Sequence, residues 1–440
     1  MVVRFAVALA FALGCAGGVT FAGAESGPLG SWLDRPYLTG DWGGWRTKLF
    51  EMGIRPELSL VSDIQGNPVG GERQAIRSFS NLGLSVTLDL EKLGGWSGAS
   101  VHLSASWRFG SSLTEQDIGN VFDVANVCCG AAFRVVDVAY QQSVLDSRLD
   151  FRVGRIAAGD DFLASPLYGY FVQSSINGNP AGSVFNVPLS SYPTSTWGLR
   201  VRGRPIDEIS MMAGEYNGDP ALGANDKHGA DWSMRGPLFA IAELGYLHHQ
   251  GKNALGLPGN YKLGAFYHDG KYADLFRDVS GGSYVASGLP RRVHQGQAGI
   301  YVLADQMVYR AGPQGSAQGL TPFVSVVVAP DTNISVMPFF VNGGLVYRGL
   351  VPARVDDIAA FGVSYGRFSA EQQRAQRAER RVSASTAGVQ EHELVLEWSY
   401  IMQAAKWLGI QPDLQYIVNP GGTGKVKNAV VIGLQMAVTF

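Results

Sequence analysis

From about residue 54 onward, polar and apolar residues alternate one by one in segments of roughly ten residues. The last segment, Asn428–Phe440, is the clearest: its even-numbered residues are apolar from Val430 on, whereas the odd positions include Gly433, Gln435 and Thr439. A period of two places these two sets on opposite faces of a β-strand. The body of the chain is therefore predicted to be a β-sheet whose two faces differ in polarity.

The alternation predicts about sixteen strands, an even number within the range of outer-membrane barrels. They begin near residues 56, 79, 99, 133, 148, 196, 209, 238, 261, 298, 320, 337, 357, 392, 410 and 428. Long connections follow the odd-numbered strands, at Gly66–Arg77, Gly110–Ala132, Ala157–Ser195, Gly218–Gly236, Asp269–Gly296 and Ser369–Gln390. Short turns lie between them, at Asp146–Ser147, Pro205–Glu208 and Val351–Val355.

Long loops at one end and short turns at the other are typical of a transmembrane β-barrel. A soluble β-sandwich is the other class considered, but nothing in its architecture requires the two ends to differ. Closing the sheet gives hydrogen-bond partners to the backbone N–H and C=O groups that an open edge would leave unpaired in a bilayer. The aromatic Phe440 also resembles the terminal signal through which barrel assembly machinery recognises such proteins. The predicted fold class is an all-β antiparallel transmembrane barrel.

Composition agrees with a barrel and excludes other classes. Of 440 residues, 46% are hydrophobic and 16% are charged, and the mean hydropathy is +0.04. A helical membrane protein would show several apolar runs of roughly twenty residues, whereas the one long run is at residues 5–22. The formal net charge of −2 gives no basic field for nucleic acid, so no nucleic-acid partner is expected.

Residues 1–24 read as an export signal, with Arg4 before an apolar stretch and a small-residue cleavage site at Ala22-Gly23-Ala24. An N-terminal anchor helix is the alternative. Removal of the signal leaves two cysteines, Cys128 and Cys129. Neighbouring cysteines form only a strained disulfide, so a vicinal bridge and two free thiols both stay open.

Residues 25–54 precede the first strand and form a separate N-terminal piece, and residues 55–440 form the barrel. Asp41 could cap a short helix that carries Trp45, Leu49 and Phe50. Because this piece comes before the barrel, it is expected to be periplasmic or to plug the lower end.

If the apolar residues face lipid, the charged residues of the strands line a water-filled channel. The candidate lumen residues in the strands are Arg108, Asp137, Asp150, Arg152, Arg200, Arg202, Arg204, Glu243, Arg348, Glu393 and Glu397. Charges of both signs would simply solvate such a pore, or they would hydrogen-bond sugar hydroxyls at a constriction.

The longest predicted loop, Ala157–Ser195, is the candidate constriction, because loops of this length in compact proteins are usually functional. It opens with Gly159-Asp160-Asp161. Aromatic rings can stack on the C–H face of a pyranose or pack the loop against the wall. The aromatic candidates are Tyr168, Phe171 and Phe185 in the loop and Trp197 just after it.

An enzyme is the competing class, and the sequence offers little for it. No Gly-x-Ser-x-Gly elbow occurs. His102 lies near Ser104 on one predicted strand, and His248-His249 has no carboxylate at metal-site spacing. No catalytic residue, metal or cofactor is therefore predicted.

Four sequence blocks resemble the OprB-type carbohydrate-selective porins: Leu38–Ile54, Gly154–Phe162, Gly178-Asn179-Pro180 and Pro412–Gly422. The resemblance covers nearly the whole chain from Leu38 to Phe440. It implies a 16-stranded barrel in the outer membrane of a Gram-negative bacterium and passive diffusion of glucose and other neutral sugars. It also implies a constriction of inward loops, with Arg152, Arg155, Asp160 and Asp161 on the sugar path.

One departure concerns cysteines, since many relatives have a pair in the stretch corresponding to Tyr168–Asn177 and this chain has none there. The rigidity of the long loop is then in doubt. The alternative function is a general or anion-preferring porin, motivated by the stripe of Arg200, Arg202 and Arg204. The expected partners are sugars as solutes, outer-membrane lipid and lipopolysaccharide, and a homo-oligomer is an open option.

Overall fold

The alternating segments fold as strands because each can turn one face to water and the other to lipid. The computed structural model describes residues 32–128, 130–250 and 255–440. The predicted export signal at residues 1–24 and Cys129 lie outside the described residues. Within the described parts of the chain, no helix has both the length and the apolar character needed to cross a membrane.

Sixteen long strands follow one another along the described chain. They are β1 (Ile54–Gly71), β2 (Ile76–Asp89), β3 (Ala99–Gly110), β4 (Ala132–Val144), β5 (Leu149–Ile156), β6 (Thr196–Ile206), β7 (Ile209–Asn217), β8 (Leu238–His248), β9 (Gly259–Asp278), β10 (Arg291–Gln306), β11 (Gly319–Val328), β12 (Phe339–Arg348), β13 (Ile358–Arg367), β14 (His392–Ala405), β15 (Leu408–Val418) and β16 (Lys427–Thr439). The two-residue strand Tyr309–Arg310 continues the pairing of β10 with β11.

The sheet closes on itself, as predicted. Each strand pairs antiparallel with the next, and β16 pairs with β1 from Ser59 opposite Thr439 to Gly71 opposite Lys427. Closure leaves no unpaired edge, which is the condition for a sheet to cross a bilayer. The predicted all-β antiparallel barrel is therefore confirmed.

The two faces of the wall differ as the sequence pattern requires. On β14, Glu393 and Glu397 are fully buried towards the inside, whereas Trp398 is exposed on the outside. On β16, Ile432 and Leu434 are exposed on the outer face. Large apolar side chains exposed in this regular way are the lipid-facing band of a barrel.

All strands but one begin within three residues of the predicted positions. The exception is β10, which begins at Arg291, seven residues before the predicted 298. Likewise, β1 runs to Gly71 and β2 begins at Ile76, so the predicted long loop Gly66–Arg77 is a tight hairpin. Where strands extend beyond the bilayer, both faces can be wet, and the period-two signal that marks a strand disappears.

Short helices lie in the connections and before β1. They are α1 (Trp45–Glu51), α2 (Leu90–Gly94), α3 (Ala158–Asp161), α4 (Ala181–Val184), α5 (Tyr284–Ser287) and α6 (Ala370–Val382). The residue before α1 is Gly44, so Asp41 is not its N-cap. Asp41 still accepts the main-chain N–H of Thr47 in the first turn at 2.9 Å.

The N-terminal piece is fastened to the end of the barrel that carries the short turns. Arg46 is buried against the rings of Tyr37 and Trp42 and donates to the main-chain oxygen of Phe440 at 2.8 Å. Trp32 packs on Trp407, in the turn between β14 and β15, with 4.6 Å between the ring centroids. These contacts join the N-terminal piece to the C-terminal end of the chain and to the turn between β14 and β15.

Candidate functional site

The connection between β5 and β6, residues 157–195 and called L3 below, folds into the lumen. The main-chain N–H of Val172 donates to the carboxylate of Glu397 on β14 at 2.6 Å. Asn342 on β12 donates its side-chain amide to the main-chain oxygen of Ser175 at 2.8 Å. L3 therefore starts at β5 and is fastened to the far wall, so it crosses the inside of the barrel.

Two of the predicted sugar-stacking rings pack L3 against that wall. Phe171 is fully buried and Tyr168 nearly so. Both rings lie against Phe323 on β11, with centroid distances of 5.5 and 5.9 Å. Neither ring has a free face for a solute. Their packing on Phe323 instead holds the loop against the barrel wall.

Glu397 is likewise an anchor of L3. The side chain is completely buried, and its carboxylate also accepts the N–H of Gln173 at 3.4 Å. Glu393, four residues earlier on the same strand, accepts the N–H groups of Val121 and Phe122 at 2.8 Å each. These two residues belong to the connection between β3 and β4, residues 111–131, called L2. Strand β14 thus holds both L2 and L3 through the carboxylates of Glu393 and Glu397.

The start of L3 is held on the opposite wall by a buried arginine. The Arg200 guanidinium forms an ion pair with Asp150 and lies 3.2 Å from the Asp161 carboxylate of L3. The side chains of Arg200 and Asp150 are only 2% and 5% exposed. Asp150 also accepts the Gln141 amide at 2.7 Å. Arg200 therefore fastens the loop to β5 and β6.

Around this clamp lie charged groups that water can reach. Arg152 pairs with Asp137 at 3.3 Å, and Arg202 lies 3.4 Å from Asp150 with its side chain 36% exposed. Asp160 is exposed at the first turn of L3. We call the whole group the charged cluster: Asp137, Asp150, Arg152, Asp160, Asp161, Arg200 and Arg202.

Glu243, another predicted path residue, stands in a network below L3. Its carboxylate lies 3.2 Å from the Lys262 ammonium and accepts the hydroxyl of Tyr301 at 3.0 Å. Lys262 also donates to the main-chain oxygen of Ala164 in L3 at 2.9 Å. The sequence did not point to Lys262, since its partners come from distant segments.

A cavity of about 490 Å³ opens between L2, L3 and the connection between β7 and β8, residues 218–237, called L4. Arg108 and Phe185 line it together with Arg134 and Tyr192. The Arg108 guanidinium lies 5.7 Å from the Tyr192 ring centroid. Phe185 and Tyr192 keep 37% and 38% exposure, so this vestibule offers the accessible rings that Tyr168 and Phe171 do not.

Two predicted residues point away from the channel. Arg155 and Trp197 are register partners on the same outer face as Val153 and Leu199. L4 covers them: the Trp197 indole donates to the main-chain oxygen of Trp232 at 3.0 Å. Arg155 donates to the main-chain oxygen of Ser195 at 2.6 Å and is fully buried. The structure does not bring them together with the cluster.

The Ser–His arrangement that an enzyme would need is not formed on β3. Ser104 donates to Asp137 at 3.0 Å, while His102 bonds Thr87 and Ser100. Among the described residues, no group of three or more His, Cys, Asp or Glu side chains is placed to hold a metal ion. Cys128 is disulfide-bonded, which disagrees with the option of two free thiols, and Cys129 lies outside the described residues.

A closed sixteen-stranded barrel with an inward loop and a charged, water-accessible lumen defines the porin class of channels. A family model, the carbohydrate-selective porins of the OprB family, matches residues 73–440, and this chain belongs to that family. The family and the barrel place it in the outer membrane of a Gram-negative bacterium.

Individual relatives agree with this assignment. The chain is 29% identical to Porin B of Pseudomonas aeruginosa, over 98% of this chain and 96% of that protein. It is 24% identical to the putative porin QuiX of Acinetobacter baylyi, over 92% and 94% of the two chains. The high-pH structure of Pseudomonas putida OprB superimposes with a TM-score of 0.86 at 28% identity, covering 92% of this chain and 99% of that one.

Proposed function

We propose that neutral sugars such as glucose diffuse passively through this barrel and are selected at the charged cluster. A sugar crossing a narrow passage exchanges its hydrogen bonds with water for bonds to the wall. Alternating guanidinium donors and carboxylate acceptors can replace those bonds on both sides of a ring. The vestibule rings Phe185 and Tyr192 then offer apolar faces to the C–H groups at the entrance.

The observation that carries this proposal is the pairing of charges in the cluster. Three arginines stand against four aspartates, and the Arg152–Asp137 pair at 3.3 Å keeps both side chains 13% exposed. Paired groups are held in place, yet they retain donors and acceptors for a solute. Because no single sign dominates, the cluster favours a neutral polyhydroxylated solute over an ion.

The same pairing weakens the alternative of an anion-preferring porin. That alternative rests on Arg200, Arg202 and Arg204 as a positive stripe. Arg200 is neutralised by Asp150 and Asp161, and Arg202 lies 3.4 Å from Asp150. Of the three, only Arg204 forms no salt bridge within the part of the chain that the structure describes, so little of the stripe attracts anions.

The test is block of single-channel ion current by glucose in a planar bilayer. Arg152→Ala removes a charged donor whose hydrogen bond to a solute is worth roughly 1.5–3 kcal/mol. We therefore expect the half-blocking glucose concentration to rise about tenfold or more. Arg148→Ala, in the exposed turn between β4 and β5, is the matched control and should leave the block unchanged.

A current that is insensitive to high glucose, together with clear anion selectivity, would contradict the proposal. So would liposome swelling rates that depend on solute size alone. Equal block in wild type and Arg152→Ala would remove Arg152 from the sugar path.

A further inference from the structure

Below L3, towards the short-turn end of the barrel, lies a separate cavity of about 440 Å³. Arg202 and Arg204 on β6 line one side, Lys262 on β9 and Asp305 on β10 line another, and Asp161 at the start of L3 borders it above. We propose that this inner pocket is a second sugar-binding position, so that the channel holds a disaccharide more tightly than a monosaccharide. This inference rests on the proposed sugar function and goes beyond it by naming the size of the solute.

The polar groups of the inner pocket are held before any solute arrives. Two of the three N–H groups of the Lys262 ammonium are engaged, by Glu243 at 3.2 Å and by the main-chain oxygen of Ala164 at 2.9 Å. Asn260 donates to one oxygen of Asp305 at 2.7 Å. Preorganised groups lose less entropy when a ligand binds, so they bind it more tightly.

The same groups keep bonding capacity for a solute. Lys262 has a third N–H, and its side chain is 23% exposed. Asp305 has a second carboxylate oxygen, and Arg202 has further guanidinium N–H groups beyond its contact with Asp150. Donors and acceptors therefore face one space from opposite walls, which is the arrangement that vicinal hydroxyls need.

The lining also indicates what kind of solute fits. The bases Arg202, Arg204 and Lys262 stand against the acids Asp161, Asp207, Glu243 and Asp305, so the balance disfavours a strongly charged solute. Met212, Leu247 and Leu303 add apolar surface for C–H groups. A volume of about 440 Å³ is at the low end of the roughly 300–1,000 Å³ of small-molecule sites. It suits one sugar ring with its hydroxyls.

The inner pocket adjoins the charged cluster. Asp161 lies 3.2 Å from Arg200 in the clamp and also lines the pocket. Arg202 also belongs to both, since it lies 3.4 Å from Asp150 in the cluster and lines the pocket. A two-ring solute can therefore contact the cluster with one ring and the inner pocket with the other.

The experiment compares current block by glucose and by maltose in the full-length barrel. In wild type, we expect maltose to half-block at a concentration about tenfold lower than glucose. Lys262→Met should reduce that ratio several-fold, because maltose loses the contacts of its second ring whereas glucose can still bind at the cluster. Lys271→Met, an exposed lysine further along β9, is the matched control and should keep the wild-type ratio.

Asp305→Asn gives a second variant if Lys262→Met does not assemble, and it should lower the ratio in the same way. Equal block by the two sugars in wild type would overturn the second position while leaving the sugar function intact. A fall in glucose and maltose block by the same factor in Lys262→Met would also overturn it. Absence of block by either sugar would instead contradict the proposed function itself.

Discussion

Gly182 in α4 packs tightly against the barrel wall, and a single methyl group added there tests how L3 is held. A Cβ added at Gly182 would lie 2.5 Å from the Cβ of Phe340 on β12 and 3.1 Å from the Cβ of Val327 on β11. Both neighbours are completely buried, and a Cβ is tied to the backbone, so neither can swing aside. Gly182→Ala therefore has to move the loop.

The size of the effect follows from these distances. Carbon atoms pack best at roughly 3.5–4.0 Å, so the loop has to retreat by about an ångström. Overpacking of this kind costs about 1–3 kcal/mol. The wall is held rigidly by sixteen paired strands and does not give way. The overpacking therefore weakens the packing of L3 against the wall. The retreat carries L3 into the lumen.

Single-channel conductance and hydrogen exchange of L3 amides measure the result. Gly182→Ala should lower the conductance and speed exchange in L3, while the barrel keeps the gel mobility of a folded porin. Gly169→Ala is the control within the same loop, because its added Cβ would meet nothing within 4 Å. If both variants match wild type in conductance and exchange, L3 does not pack against β11 and β12 at Gly182.

Three further predictions concern the loops and the outer face. Glu397→Ala leaves two buried N–H groups of L3 without an acceptor, at about 1–3 kcal/mol each, so L3 amides should exchange faster; unchanged exchange would show that the carboxylate does not anchor the loop. The hydrogen bonds and charges of Arg77 and Arg73 hold the pKa of Asp117 in L2 below its ordinary value. The contact stabilises L2 fully at pH values above the unfolded pKa of about 3.9, and this stabilisation is lost as the pH falls through the lowered pKa of Asp117 in the folded state. Acid should therefore reduce the protection factors of L2 amides in wild type, and the reduction should be smaller in Asp117→Asn. Trp197→Leu should leave glucose block unchanged, and a weaker block would return Trp197 to the sugar path.

The fold was largely determined by sequence because its signal is local and repeated. Each strand can be identified from side chains that face lipid and water in turn. On β16, for example, Ile432 and Leu434 face lipid, whereas Gly433 and Gln435 face the lumen. Errors arose where this constraint ends, in the hairpin after Gly71 and at the start of β10. There the strands stand in water, and alternation is no longer required.

The site was determined only in part, because it is built by contacts between distant segments. The sequence could place Arg200, Asp150 and Asp161 near a channel, but their union in one buried clamp needs β5, β6 and L3 together. It could not tell that Tyr168 and Phe171 pack on Phe323, since an aromatic ring in a loop is equally suited to packing and to stacking.

The sequence by itself therefore determined the barrel, the number of its strands, the ends that carry loops and turns, and the family. Only the tertiary structure decided which way L3 folds, which charges are paired and which stay accessible. It also turned Arg155 and Trp197 outward beneath L4 and brought Lys262 to Glu243. The physical reason is that the polar and apolar faces of a strand are set by residues two positions apart in the sequence. The contacts of a loop depend instead on distant residues that come together only when the sheet has closed.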